Sequence, residues 1–363
     1  MNVTIQRSEG VAGNVQVMPP KLAWLSRWRV HLYRLCILIV GSYGLLYFTY
    51  RVARPWPGSN DYYANYYFMY LSPLDVNAAP APYNLRQVSA VLTHLMLATH
   101  IYPQNHTTTV VPGRDPRVLF AAMLTNWIFL LLAAWLAGLI AEEELGQPNA
   151  LVALSAGFLC LLAFQTPFFV LSGLTEGVNW FLLAAGFLAY LRRARSWLLV
   201  VLVVSIVQRE SVSIILGVIA ACDLALSRED RRFKIQALVS AIACFAAYFL
   251  ARRFFLPGSE SETHFTVMVA SIRHPGPAST FLSQMVLTQS TAVLFIALAW
   301  LGHKDKRHTH PWAPCLLAAM IVLDLLGVAA GIVDNLGRVL GILVPVLAGL
   351  ASAQLWRQKH RFE

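Results

Sequence analysis

Apolar residues gather in long blocks along this chain, near 35–50, 118–140, 150–171, 178–191, 197–226, 235–255, 280–302, 313–333 and 337–356. Blocks of this kind predict helices that meet lipid or one another on every side, since about 20 apolar residues span a hydrocarbon layer about 30 Å thick. No hydrophilic stretch between them is long enough to enclose a soluble core. The predicted fold class is an all-α polytopic transmembrane helix bundle. Its expected organisation is a tail over 1–30, a single transmembrane domain over 31–356 and a second tail over 357–363.

Basic residues sit between the blocks rather than within them. Lys21, Arg27, Arg29 and Arg34 form one group, followed by Arg192, Arg193 and Arg195, then Arg228, Arg231, Arg232 and Lys234, then Lys304, Lys306 and Arg307, and last Arg357, Lys359 and Arg361. Loops rich in Lys and Arg stay on the cytoplasmic side. Both termini are then expected in the cytoplasm, with residues 51–117 as a long external loop carrying interfacial, amphipathic helices. The block 197–226 holds Gln208, Arg209 and Glu210 in its middle and basic groups at both flanks. Two short limbs folding back at that triplet keep both flanks on one side, and the limb 197–207 rises only about 16 Å. Counted so, the chain makes about ten crossings.

Composition agrees: 57% of residues are hydrophobic, 13% are charged and the mean hydropathy is +0.57. The net charge of +10 resides in the hinge groups, without a basic face of interleaved aromatics, so no nucleic-acid partner is expected. Cys36, Cys160, Cys222, Cys244 and Cys315 all lie in apolar blocks without metal-ligand spacing and are expected to be small buried hydrophobes. No cofactor is called for, and a divalent metal is unsupported. The first apolar block starts too late for a cleavable leader and lacks a small-residue cleavage pattern.

With the cytoplasmic groups set aside, the polar residues left are Asp61, Asp75, Arg86, Glu176, Arg209, Glu210, Asp334, Asn335 and Arg338, all expected toward the outer half. Ionisable groups in or at a membrane are costly and mark sites. Asp61 precedes Tyr62, Tyr63, Tyr66, Tyr67 and Tyr70. A carboxylate shielded by rings at the boundary suits a general base, while the tyrosines also suit an interfacial aromatic belt. Asp75 in "SPLD" also reads as a turn residue. Arg86 opens an amphipathic helix with Val88, Val91, Leu92, Leu95 and Met96 on one side, and either grips a phosphate or snorkels to headgroups. Glu176 is either catalytic or a helix cap. Arg209 with Glu210 is either a site or a structural ion pair bracing the broken helix. Arg338 follows Asp334 and Asn335 at a helix start, where an anion is favoured. Asp324 lies mid-helix as a site or a hydrogen-bonding group.

This arrangement resembles polytopic membrane glycosyltransferases of the GT-C type, on "NDYYANYY", "PYNLRQVSAVL", "LTEGVNWFLLAAGFLAYLRR", "QRESVSIILGV" and "DNLGRVLGILVPVLAG". The likeness implies transfer of a sugar from a polyprenyl-phosphate donor to an acceptor on the external face of a bacterial inner (cytoplasmic) membrane. Asp61 matches the acidic position in the first external loop. Two departures stand: Asp61 and Asp75 are not a tight pair, and no large soluble domain follows. Expected partners are membrane lipids, the polyprenyl-phosphate-linked sugar and a membrane-protein partner. Two rival readings are a transporter or flippase of an anionic lipid-linked substrate and a non-catalytic subunit of an envelope glycan assembly.

Overall fold

The computed structural model describes residues 20–52, 66–79, 83–102, 114–255, 293–298, 312–329 and 340–362. Among them every regular element is helical. The helices are α1 (Pro20–Val52), α2 (Tyr67–Leu71), α3 (Gln87–Ala98), α4 (Pro116–Leu145), α5 (Ala150–Leu161), α6 (Glu176–Leu191), α7 (Arg195–Ile206), α8 (Ser211–Leu226), α9 (Arg231–Phe255), α10 (Trp312–Ala329) and α11 (Val344–Phe362). Among the described residues, three stretches are long and apolar enough to cross a membrane, Trp28–Arg51, Pro116–Leu145 and Arg231–Arg252. Large apolar side chains such as Val40, Trp197, Leu162 and Phe254 point outward, as they do where the exterior is hydrocarbon rather than water. These features fit a helical membrane protein.

Local chemistry sets the helix ends. Asp115 accepts the Arg117 N–H ahead of Pro116 at the start of α4, which ends on Gly146 in the left-handed region (φ 71°), a conformation cheap only for glycine. Asn149 opens α5 by accepting the N–H groups of Leu151 and Val152. The block 150–171 departs from expectation, because it is not one helix. Pro167 supplies no N–H and disfavours helical geometry at Thr166. The chain leaves α5 at Leu162, the Thr166 hydroxyl donates to the Cys160 carbonyl at 2.9 Å, and a π turn covers Thr166–Val170. At the ends of the chain, α1 begins at Pro20 and α11 runs to Phe362, so helix extends beyond the apolar blocks into the segments expected as tails.

α4 is the central post, packed on α1, α3, α5, α6 and α11. The second half is built from α7, α8 and α9, with α10 against α8. The break at 207–210 folds α7 and α8 into the expected hairpin. Arg209 at its tip reaches Glu176 at the start of α6, while Asp223 near the end of α8 accepts a hydrogen bond from Tyr190 at the end of α6.

One end of the bundle gathers the basic groups. Glu142, Glu143 and Glu144 at the end of α4 pair with Arg34 of α1, Arg192 after α6 and Arg357 of α11 at 2.6, 2.8 and 2.9 Å. Arg193 pairs with Asp230. Lys234 donates to the Asp223 carboxylate at 2.8 Å and to the Asp223 and Ser227 carbonyls, closing the end of α8. An acidic segment thus sits among basic groups because it neutralises them.

The cysteine expectation needs one correction. Cys160, Cys244 and Cys315 are buried, Cys222 is half-buried and Cys36 is exposed on α1.

Candidate functional site

At the end opposite the basic groups, the hairpin tip, the start of α6 and residues from 66–79 and 83–102 meet in a buried polar network. Its hub is Gln208, wholly buried. The Gln208 carboxamide NH2 donates to the Ser89 hydroxyl at 2.7 Å, to Asn179 Oδ1 at 3.0 Å and to the Thr175 carbonyl at 3.3 Å. Its carbonyl accepts the Ser89 N–H at 3.0 Å. In hydrocarbon an unmet polar group costs several kcal/mol, so this side chain joins α3, α6 and the hairpin tip.

Arg209 Nη1 donates to Glu176 Oε1 at 3.0 Å, and Glu176 Oε2 accepts the Thr175 N–H at 2.9 Å. Arg86, 8% exposed, donates to the Tyr66 hydroxyl and to Thr175 Oγ1. Its guanidinium lies over the rings of Tyr66 and Tyr83, 5.6 and 5.0 Å from their centres. Thr175 and Glu176 therefore receive both arginines, one from each side.

The base of the site is tied to α4. Asn126 Nδ2 donates to the Leu174 carbonyl at 2.6 Å and its Oδ1 accepts the Gly177 N–H at 2.9 Å. A Cβ on Gly177 would stand 2.5 Å from the Asn126 carbonyl oxygen, so only glycine lets α6 start this close to α4. Tyr70 donates to the Gly173 and Leu174 carbonyls, and Tyr66 and Tyr70 stack with ring centres 6.0 Å apart. Three members of the predicted aromatic stripe, Tyr66, Tyr67 and Tyr70, are thus buried.

Several expectations resolve here. Arg86, Glu176, Arg209 and Glu210 come together. Arg86 is buried among Tyr66, Tyr83 and Thr175, which removes the snorkelling alternative. Glu176 accepts the Thr175 N–H at the helix start, in line with the capping reading, and pairs with Arg209. Asp75 stands exposed in a turn and accepts the Asn77 N–H at 2.9 Å, the turn reading. Asp324 is half-buried on α10. Asp61, Tyr62, Tyr63, Asp334, Asn335 and Arg338 lie outside the described residues.

No family model, curated protein or solved structure matches this chain.

Counting charges alone misses the uncharged hub. Gln208, Asn126, Asn179, Thr175 and Ser89 carry much of the network, and their signal is an amide or hydroxyl inside an otherwise apolar block, as in "LTNWIF" and "EGVNWF". Chemically, two buried guanidiniums held by fixed partners suit recognition of an anion in a poorly hydrated setting. The Nδ2 of Asn179 and the hydroxyl of Ser211 are buried there without a hydrogen-bond partner among the described residues. No group of three or more His, Cys, Asp or Glu side chains among the described residues is placed to hold a metal ion.

Proposed function

We propose that this chain is an integral-membrane glycosyltransferase that takes a sugar from a polyprenyl-phosphate donor at the end of the bundle opposite the basic groups. One observation supports the reading above all: Arg86 and Arg209, from separate segments, converge on Thr175–Glu176 at the start of α6. In this reading the acceptor hydroxyl attacks the anomeric carbon and the bond from that carbon to the phosphate oxygen breaks. Asp61, five residues before Tyr66 in the chain, takes the hydroxyl proton. Arg86 neutralises the departing phosphate and Arg209, its charge shared with Glu176, adds a directed hydrogen bond to it, with Arg338, Asp334 and Asn335 lending further polar groups and Tyr62 and Tyr63 beside the carrier. Glu176 has both oxygens engaged and serves to position Arg209. The topology that goes with this reading has about ten crossings, both termini in the cytoplasm of a bacterial cell and the site facing outward.

The test starts from the lipid that co-purifies with the chain, identified by mass spectrometry and used as donor in a transfer assay. Asp61→Asn is expected to lower transfer by about 100-fold or more at unchanged membrane abundance, and Arg209→Gln by about 100-fold per folded molecule. Full transfer in Asp61→Asn would sink the assignment.

The hairpin supports a second reading. A broken helix with Arg209 at its tip is the device by which transporters hold anionic groups, so movement of the lipid between leaflets without any glycan product would favour a flippase.

A further inference from the structure

A groove of about 210 Å³ runs between α7 and α9, starting at the basic end. Arg195 stands at its mouth, Leu198, Phe233 and Ala237 line its depth, and Gln236 and Ser240 edge it. Arg232 precedes Gln236 by one helical turn and so lies on the same face of α9, directly above it. From Arg232 to Ser240 the helix descends about 12 Å. Polarity falls along that path from guanidinium to carboxamide to hydroxyl, with apolar side chains opposite.

The cations at this mouth differ from their neighbours. Arg192, Arg193 and Lys234 are paired to Glu143, Asp230 and Asp223, whereas Arg195, Arg231 and Arg232 are exposed and have no ion-pair partner among the described residues. A larger neighbouring cavity, about 790 Å³, is lined by the cations Arg193, Arg228, Lys234 and Arg357 and by the carboxylates Glu143, Glu144, Asp223, Glu229 and Asp230, so its positive charge is offset within it. Unspent positive charge is therefore concentrated at the α7–α9 groove.

We propose that this groove binds an anionic phospholipid of the surrounding bilayer, its phosphate between Arg195 and Arg232, its ester region beside Gln236 and one acyl chain along Leu198 and Ala237. The charge sequence matches a lipid from headgroup to tail. A free phosphate would use only the mouth, leaving the apolar depth unexplained. The inference rests on the membrane setting of the helices and is independent of the proposed sugar transfer, since the groove lies at the other end of the bundle.

Native mass spectrometry of the full chain, titrated with phosphatidylglycerol or with phosphatidylcholine of the same acyl chains, reads the preference directly. Phosphatidylglycerol is expected to be retained about 25-fold better, about fivefold for each of the two arginines. Each of Arg195→Gln and Arg232→Gln should reduce that preference roughly fivefold, and the double variant should abolish it. Ser240→Trp, which changes no charge and blocks the groove, should also abolish it, while Arg29→Gln on α1 should leave it intact. The proposal is overturned if the wild type shows no preference, if Ser240→Trp or the double variant keeps it, if Arg29→Gln lowers it as much as Arg195→Gln does, or if inorganic phosphate displaces the lipid at matched concentration.

Discussion

Gln208 shows how much a single neutral side chain carries in this bundle. Its amide joins the Ser89 hydroxyl and N–H, Asn179 Oδ1 and the Thr175 carbonyl. Gln208→Leu would strand several of these groups, each at a cost of about 1–3 kcal/mol. The expected outcome is a large fall in the unfolding midpoint in detergent, followed by far-UV circular dichroism. Glu176 presents a different case. Glu176→Gln leaves the Arg209 guanidinium buried with a neutral partner, and breaking such a pair costs about 3–5 kcal/mol. Replacing both residues, as Glu176→Leu with Arg209→Met, removes the stranded charge along with the pair, so the double variant should unfold later than Glu176→Gln alone. If the single variant proves the more stable, the pair is not what holds the hairpin tip to α6. Under the proposed function the stable double variant should still be inactive, which separates the pair's structural role from its chemistry.

Among the elements, α3 reverses the usual rule of apolar side inward. Its fully buried positions are Ser89, Ala90 and Thr93, whereas Leu95 is 58% exposed and Val88, Val91, Leu92 and Met96 are only partly covered. The sequence pattern does predict an amphipathic helix here, but not which side faces the protein, because that depends on whether the surroundings are water or lipid. The small polar side is needed inward, where Ser89 meets Gln208 and the Val88 N–H meets the Val207 carbonyl. Leu95→Gln should accordingly leave the unfolding midpoint nearly unchanged yet weaken quenching of a nearby tryptophan probe by brominated lipid. Ser89→Leu should destabilise, since it both overfills the contact and orphans Gln208. The start of α6 is equally restrictive. At Gly177 an added methyl meets the Asn126 backbone rather than a movable side-chain tip, so Gly177→Ala is expected to cost about 1–3 kcal/mol, seen as a lowered midpoint with α-helix content retained.

For the whole molecule, the two-ended arrangement was readable from charge alone. The basic groups at Arg34, Arg192 and Arg357 converge because Glu142, Glu143 and Glu144 tie them together, and the hairpin at 207–210 follows from the same bookkeeping of its flanks. What charge and hydropathy could not reveal is geometry inside apolar blocks: the break before Pro167, the inward side of α3 and the amides at Asn126 and Gln208 all depend on individual atoms within segments of uniform hydropathy. Sidedness is the test that binds these scales together. Asn77 is exposed in the turn near the polar network and Arg228 is exposed among the basic groups, so in a background with all five native cysteines replaced, a single cysteine at each reports one end. Asn77→Cys should react with a membrane-impermeant maleimide added to intact cells, and Arg228→Cys only after the cells are opened, because a charged reagent does not cross hydrocarbon. Labelling of both from the same side would mean that the two ends of the bundle do not face opposite aqueous phases. The buried arginines at Arg86 and Arg209 would then lose the external position on which sugar transfer depends, while the ion pairs and hydrogen bonds of the network would stand unchanged.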